Sequence, residues 1–192
     1  MATKRNLKAR PKASPSRIQQ NIHSQQAIVT RAIVDNTIQH IAETEDLNLN
    51  DLPSGDISVP LNVWLEHKSE LRLRSGITAV QIGADENPEG LLADLVEIDI
   101  IVLPFVTHTD GRSYSIAHKL RERYNFTGQI RAIGDVKFDQ LDFLTRVGCD
   151  AFELPEGENL ETALRAFTEF SDVYQPAADK RSLIFSRRRT LH

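Results

Sequence analysis

Polar residues that could hold a small anion gather directly after an apolar run of the chain. The run, residues 98–105, is interrupted only by Asp99, and such runs are typical of strands buried on both faces of a parallel sheet. Residues 110–112, with the sequence DGR, follow it and open a predicted helix. Ligands of α/β proteins bind beyond the carboxyl ends of strands, at the free N–H groups of helix N-termini. We therefore expect function at this turn.

The side chains of the DGR turn suit an oxyanion. Asp110 is placed to accept hydrogen bonds from the N–H groups of the first helical turn, and Gly111 allows a close approach to the backbone. Arg112 and Ser115 lie about one turn apart on the same exposed face of the predicted helix. Together with the free N–H groups they predict a site for phosphate, sulfate or sulfite. A capped helix start with a surface arginine remains the alternative.

A second turn repeats this arrangement one unit later. Gly134 and Asp135 follow a predicted strand, and Asp139 and Gln140 fall in the first turns of the helix after it. Since the two turns end neighbouring units, the carboxylates of Asp110 and Asp135 are candidates to face each other across a cleft, for metal binding or acid–base catalysis. Two aspartates that only cap helices are the alternative.

Arg131 lies inside a predicted buried strand, in the sequence QIRAIG. Alternation along a strand places it on the face opposite Ile130 and Ala132. A buried guanidinium requires a partner, and Glu153, in the next predicted strand, is the first candidate. A structural ion pair and a ligand-facing arginine are both compatible with this pattern.

The sequence contains no recognisable cofactor or metal motif. His108 and His118 are ten residues apart, which matches no strong metal-binding spacing, so no metal site is predicted. Cys149 is the single cysteine, which excludes an internal disulfide and a cysteine-only metal site, and we expect it in the core. No Walker loop, G-x-G-x-x-G, G-x-S-x-G or C-x-x-C occurs. There is accordingly no basis in the sequence for a bound nicotinamide or flavin, and the cofactor stays unassigned.

Composition and charge limit the class of protein. The 192 residues are 40% hydrophobic and 26% charged, as in an ordinary soluble domain. Residues 1–17 carry six basic residues and no acid, whereas residues 18–175 carry 12 basic and 26 acidic residues. This acidic body argues against a nucleic-acid groove. No apolar run reaches membrane-span length and no signal peptide is recognisable, so we expect a cytoplasmic protein without a membrane partner.

Predicted strands and helices alternate along the chain, which indicates βαβ crossovers and a parallel sheet. We predict an α/β fold with a mostly parallel sheet of five or six strands and crossover helices. An open doubly wound sheet is slightly favoured, with a partial TIM-like barrel as the alternative. We predict strands at 27–34, 77–82, 98–105, 129–133 and 150–154, helices at 60–74, 88–95, 110–124, 136–147 and 159–173, a surface loop at 42–60 and an edge strand at 183–185.

The charge distribution also predicts the organisation of the chain. Residues 1–26 are polar and mostly basic, which is typical of a disordered tail. Residues 27–175 contain the alternating elements and are predicted to form a single α/β domain. Residues 176–192, with five basic residues and one acidic residue, are predicted to be loosely ordered.

The central stretch resembles a bacterial family, domain of unknown function 934, over about residues 60–175. The blocks DGR-x-YS, LR-x-R, RA-x-GDV and DQL carry the resemblance. Members are commonly labelled as probable oxidoreductases involved in sulfite reduction, a label that rests largely on genes lying beside the sulfite reductase gene. No catalytic residue is carried over. The matching positions include Asp110, Gly111, Arg112, Tyr114, Ser115, Arg121, Arg131, Gly134, Asp135, Asp139, Gln140 and Arg146.

The resemblance implies a pathway rather than a mechanism. We expect an accessory protein of assimilatory sulfite reduction, in sulfur assimilation, that binds a small oxyanion, the sulfite reductase, or both. The alternative is an enzyme, as the family's oxidoreductase label suggests, that acts on a small anionic substrate at the rim formed by Asp110 and Asp135. Whether the protein is an enzyme stays open at this point.

Overall fold

A computed structural model describes residues 25–42, 47, 49–107, 109–169 and 177–178. Eight strands form one curled, open sheet with the shape of a half-barrel, in the order β2-β1-β8-β7-β6-β5-β4-β3. Strands β3 to β8 are parallel, and the antiparallel hairpin β1–β2 joins the sheet through β8. The strands are β1 Gln26–Val29, β2 Ala32–Asp35, β3 Gln39–His40, β4 Ile57–Pro60, β5 Thr78–Gln81, β6 Ile100–Phe105, β7 Gln129–Gly134 and β8 Ala151–Phe152.

The described residues contain four α-helices and three short 3-10 helices. The α-helices fall in segments predicted as helices, whereas the segment 88–95 contains a single 3-10 turn and Leu49–Asp51 lies in the predicted loop 42–60. Gly148, with φ 116°, ends the third α-helix in the left-handed conformation that glycine tolerates. The α-helices are α1 Leu61–Leu71, α2 Arg112–Glu122, α3 Leu141–Val147 and α4 Leu160–Glu169, and the 3-10 helices are Leu49–Asp51, Pro88–Leu91 and Phe138–Gln140.

The mostly parallel α/β sheet is confirmed, but the prediction of five or six strands is wrong. The predicted strand 27–34 is a hairpin, because Thr30 and Arg31 turn the chain with φ values of 49° and 65°. Such a turn is normally signalled by Asn-Gly, and neither residue is present here. The predicted loop 42–60 ends in a fully buried strand, β4. Strands β3 to β8 lie side by side in the order in which they follow along the chain, whereas a doubly wound sheet reverses its strand order. The sheet is therefore the half-barrel, which was the alternative prediction.

The helices pack on the outer face of the sheet. Strand β6 illustrates the alternation: Ile101 and Leu103 belong to the main core with the helices, whereas Ile100 and Val102 point to the inner face. Trp64 and Cys149 are buried in the main core, which confirms the prediction for Cys149.

The inner face is covered by a short connection of the chain. Strands β2 and β3 lie at opposite edges of the sheet, yet only residues 36–38 separate them. Ile38 packs in a second small core on the inner face with Ala79, Ile100, Val102 and Ile133. The curl of the sheet follows from this geometry, because three residues span only about 10 Å and must join its two edges.

Some predictions fall outside the described residues. These are the tail up to residue 24, most of the segment 176–192 with its edge strand 183–185, and the last residues of the predicted helix 159–173. No helix in the described part of the chain combines the length and apolar character that crossing a bilayer requires.

Candidate functional site

The two predicted turns lie at the same edge of the sheet. Phe105 at the end of β6 pairs with Gly134 at the end of β7, and the Asp135 N–H donates to the Phe105 carbonyl over 2.7 Å. The turn with Asp110 follows β6 by five residues. We call this surface the carboxyl-end rim. Its members are residues 85, 110–112, 115, 134–137 and 139–140.

Arg112 organises the first half of the rim. Its guanidinium holds Asp110 with Nη2–Oδ2 at 2.6 Å and Nε–Oδ1 at 3.0 Å, and it also pairs with Asp85. Asp110 Oδ1 accepts from the Arg112 N–H over 3.0 Å, so the predicted hydrogen bond to the first helical turn is confirmed. Gly111 is the N-cap residue of α2, and the Ser115 side chain is exposed.

This pairing sets the charge of the rim. Hydrogen bonds from the Arg112 side chain and backbone lower the pKa of Asp110 to about 2, and the same contact raises the pKa of Arg112. Both groups therefore stay ionised at neutral pH. The side chain of Arg112 is nonetheless 54% exposed, so part of its guanidinium faces solvent beside the helix N-terminus.

The second half of the rim is built around Gly134. Its φ of 96° is the left-handed region, and a Cβ there would overlap the Phe105 carbonyl oxygen. Asp135 pairs with Lys137 over 3.0 Å. The Lys137 N–H donates to Gln140 Oε1 over 2.9 Å. Lys137, in place of Asp135, is thus the N-cap residue of the 3-10 helix that leads into α3, while Asp139 is exposed.

Arg131 belongs to a different group of residues, on the inner face of the half-barrel. Its Nη1 donates to Glu153 Oε1 over 2.9 Å and to Asn36 Oδ1 over 2.8 Å. Its Nε and Nη2 both donate to Gln129 Oε1, over 3.1 and 3.0 Å. The predicted pair of Arg131 and Glu153 is confirmed, and the interpretation as a structural ion pair accounts for its contacts.

His40 extends this inner network. Its Nε2 lies 2.9 Å from Glu153 Oε2, and its Nδ1 lies 2.6 Å from Ser58 Oγ. Gln81 Nε2 also donates to Ser58 Oγ over 2.9 Å. Because an ionised carboxylate can only accept, His40 Nε2 carries the proton that is shared with Glu153. Serine, histidine and a carboxylate in series are the elements of a nucleophilic triad. Ser58 is fully buried, so the network is structural.

The network keeps Glu153 ionised. Burial raises the pKa of Glu153, but the hydrogen bonds and charges of His40 and Arg131 outweigh this effect and leave the pKa below its usual range. A carboxylate inside the half-barrel is stable only because these partners replace the water that it loses.

The structure therefore divides the predicted site residues into two groups. Nine residues were predicted to bind a ligand, and eight of them lie on the rim. Arg131 alone points to the inner face. Sequence reasoning missed the other members of this network, although a signal was present in part: β4, β5 and β7 carry Ser58, Gln81 and Gln129 at inner-face positions. The missed residues are Asn36, His40, Ser58, Gln81 and Gln129.

Within the described residues, no three His, Cys, Asp or Glu side chains gather closely enough to hold a metal ion. His118 is exposed on α2, and His108 lies outside the described residues.

Comparison with known proteins identifies the family. A family model described as bacterial protein of unknown function (DUF934) matches residues 79–185. The chain belongs to this family. No functionally curated protein matches it. The matched residues of the DUF934 model include the whole carboxyl-end rim, Arg131 and Glu153, whereas the hairpin β1–β2, His40 and Ser58 precede them.

Proposed function

We propose that this protein is an accessory protein of assimilatory sulfite reduction that binds the sulfite reductase through the carboxyl-end rim. Family membership supports the pathway, since the resemblance implies association with the sulfite reductase gene. The rim supports the mode of action. A small oxyanion such as sulfite, sulfate or phosphate is a second ligand of the same surface, and it reaches Arg112 and the N–H groups of α2 by displacing the Asp85 carboxylate from the guanidinium.

The observation that carries this proposal is the mixture of arginine and apolar groups at the rim. Arg112 is exposed at the start of α2. Val106, directly after β6, is 67% exposed, and Phe143 on α3 is 51% exposed. The Phe143 ring contacts the Tyr114 ring at a centroid distance of 5.4 Å, and Tyr114 packs edge-on against Phe105. Exposed aromatic and arginine side chains on a rigid support are characteristic of protein interfaces.

The charge distribution of the protein supports electrostatic steering of the partner. Residues 18–175 carry a net charge of −14, whereas the segment 105–146 within them has seven basic and five acidic residues. The rim shares the acidic character of the body, because it carries the carboxylates Asp85, Asp110, Asp135 and Asp139 against two cations, Arg112 and Lys137. A partner with a basic docking face is therefore oriented toward it by the field of the acidic body. Such steering makes the association rate sensitive to salt.

The charge state of Asp110 favours docking over catalysis. A general base works best when its pKa lies near the working pH, and the pKa of Asp110 is about 2 because Arg112 holds its carboxylate. Its proton affinity is therefore too low for efficient proton abstraction. An enzyme acting on a small anionic substrate at this rim is accordingly the less supported alternative.

The test is co-purification with sulfite reductase at low and high salt. The wild-type protein should retain the reductase at low salt and release it progressively as ionic strength rises. The double variant Arg112→Glu/Phe143→Ser should lose the association. Arg165→Glu, which reverses the charge of an exposed arginine on α4, serves as the matched control and should bind normally.

Growth on sulfate as sole sulfur source gives the second readout. Deletion of the gene should slow growth, and Arg165→Glu should restore it while the double rim variant should not. Absence of any association together with unimpaired growth of the deletion strain would remove the proposal. Turnover of sulfite by the isolated protein would favour the enzyme alternative instead.

A further inference from the structure

A cavity lies at the end of the half-barrel opposite the rim. It has a volume of about 300 Å³, the lower end of the range of roughly 300–1,000 Å³ for small-molecule sites. It opens beneath the turn between β1 and β2, beside the C-terminal end of α3 and the amino end of β8. Its lining consists of Thr30, Arg31, Arg121, Thr145, Gly148, Cys149, Asp150, Phe152 and Ala178.

One arginine of the cavity is fully occupied by the protein. Arg121 donates from Nε to the Gly148 carbonyl over 3.0 Å and from Nη1 to the carbonyls of Phe126 and Gly128. Its Nη2 donates to both carboxylate oxygens of Asp150, over 2.7 and 3.1 Å. The five guanidinium hydrogens are thereby used, and Arg121 and Asp150 neutralise each other.

The second arginine is not neutralised in this way. The Arg31 guanidinium lies over the Phe167 ring, 5.8 Å from its centroid. Within the described part of the chain, no carboxylate forms an ion pair with it. Among the described residues of the lining, Arg31 is therefore the one charged group without a counter-ion, and it lies next to Thr30 in the turn.

The backbone that presents Arg31 is strained. Thr30 and Arg31 have φ values of 49° and 65°, a region that is unfavourable for side chains with a Cβ and most unfavourable for β-branched threonine. Glycine and asparagine occupy such hairpin turns at lower cost. Strain that persists in a turn lining a cavity is consistent with a requirement for these two side chains in binding.

We propose that this cavity binds a small organic monocarboxylate. The carboxylate contacts Arg31 and the Thr30 hydroxyl, and the apolar part of the ligand rests against Thr145 and Ala178, since Phe152 and Cys149 in the same lining are each only 2% exposed. A single unbalanced charge matches a monoanion better than a phosphomonoester, which carries close to two charges at neutral pH. A guanidinium also matches the planar carboxylate through two parallel hydrogen bonds. Burial raises the pKa of the Cys149 thiol, so this wall of the cavity is uncharged.

The experiment is a titration of the isotope-labelled full-length protein with benzoate and hexanoate, followed by amide chemical shifts. Both carboxylates should shift the amides of Thr30, Arg31, Gly148 and Cys149. Benzamide and hexanamide have nearly the same shape without the charge and should bind at least about tenfold more weakly. Equal binding of the amides, or no shifts with either carboxylate, would overturn the proposal.

Two substitutions of Arg31 separate binding from folding. Arg31→Gln should weaken carboxylate binding at least about tenfold. Arg31→Gly should weaken it equally and yet raise the melting temperature by about 2–4 °C, because glycine relieves the strained turn. Arg123→Gln is the matched control, since Arg123 likewise lies over an aromatic ring, Tyr124, and is not part of the cavity lining.

The outcome is independent of the proposed function. Unchanged carboxylate binding in Arg31→Gln would refute the cavity site, whatever the rim binds. Conversely, loss of reductase binding in the rim variants with an intact cavity response would leave both proposals standing. Shifts of the rim amides alone on addition of benzoate would place the anion site at Arg112 and refute the cavity site.

Discussion

Arg131 on β7 and Glu153, directly after β8, form an ion pair that is buried on both sides. Their side chains are 7% and 0% exposed, and Nη1 and Oε1 are 2.9 Å apart. The pair lies between the inner face of the parallel sheet and the connection 36–38, and His40 and Asn36 on this side of the sheet bond to the same two groups. The two edges of the half-barrel are thereby tied together through charged side chains.

Removing Arg131 should destabilise the protein strongly. Arg131→Met leaves the Glu153 carboxylate buried without its cation, and breaking such a pair costs about 3–5 kcal/mol. Replacing both residues, as Arg131→Met/Glu153→Leu, should cost less than Arg131→Met alone. Urea denaturation measures the free energies of unfolding. Arg123→Met, at an exposed arginine, should stay within about 0.5 kcal/mol of wild type. An equal loss of stability in Arg131→Met and Arg123→Met would contradict the prediction that Glu153 depends on Arg131 to stay buried as a carboxylate.

The lowered pKa of Glu153 predicts a loss of stability in acid. The unfolded chain binds this proton at about pH 4.3, while the folded protein binds it only at lower pH. The stabilisation is therefore fully present above the unfolded pKa and is lost as the pH falls through the folded pKa. The free energy of unfolding of Glu153→Gln should depend less on pH in this window than that of wild type.

Asp150 provides a control of opposite sign. Burial raises the pKa of Asp150 above its usual value, against the opposing effect of Arg121. This carboxyl therefore gains stability as the pH falls and partly offsets the loss at Glu153. Asp150→Asn removes the offset, so its stability should fall more steeply in acid than that of wild type. Identical pH slopes in both variants would contradict the two assignments.

Gly134 and Gly111 should respond very differently to alanine. Gly134→Ala places a Cβ against the Phe105 carbonyl oxygen at a φ of 96° and should cost more than about 1 kcal/mol. Gly111 has a φ of −82° and open space around its Cα. Gly111→Ala should therefore change the melting temperature little. A similar loss in both variants would mean that the turn after β7 can relax.

The pKa of Asp110 should depend on Arg112. In wild type the carboxyl titrates at about 2 because the Arg112 side chain and N–H donate to it. Arg112→Gln removes the side-chain donors, so the titration followed by carboxyl carbon chemical shifts should move up toward the ordinary aspartate value. Lys137→Gln, at the other half of the rim, should leave Asp110 unchanged. An unchanged titration in Arg112→Gln would disprove this pairing.

The pattern of apolar residues along the chain was sufficient to predict the repeated strand–helix units of the fold. The apolar runs around β5, β6 and β7 and the helical stripes after them follow from burial on one or both faces, which periodicity records directly. The partner of Arg131 was predictable for the same reason, since a buried guanidinium needs a carboxylate and Glu153 falls in the next predicted strand. Gly148 was recognisable as a helix end because glycine tolerates positive φ.

The N-terminal strands were not predictable in this way. β3 has two residues and β4 has four, too few for periodicity to distinguish a strand from a loop. The hairpin turn at Thr30 and Arg31 lacks the residues that signal it. These segments are strands because the neighbouring strands supply hydrogen-bond partners and buried surface, an effect of tertiary context.

The amino-acid sequence by itself determined which side chains would be buried and which turns would follow strands, because these depend on neighbours along the chain. Tertiary structure alone decided that Arg112 pairs with Asp110 and Asp85 at one rim, whereas Arg131 lies with His40 and Ser58 inside the half-barrel. The reason is that the contact between His40 and Glu153 joins residues 113 positions apart. A pattern of neighbouring residues gives no information about a contact over such a separation in sequence, and this contact forms only when the sheet curls.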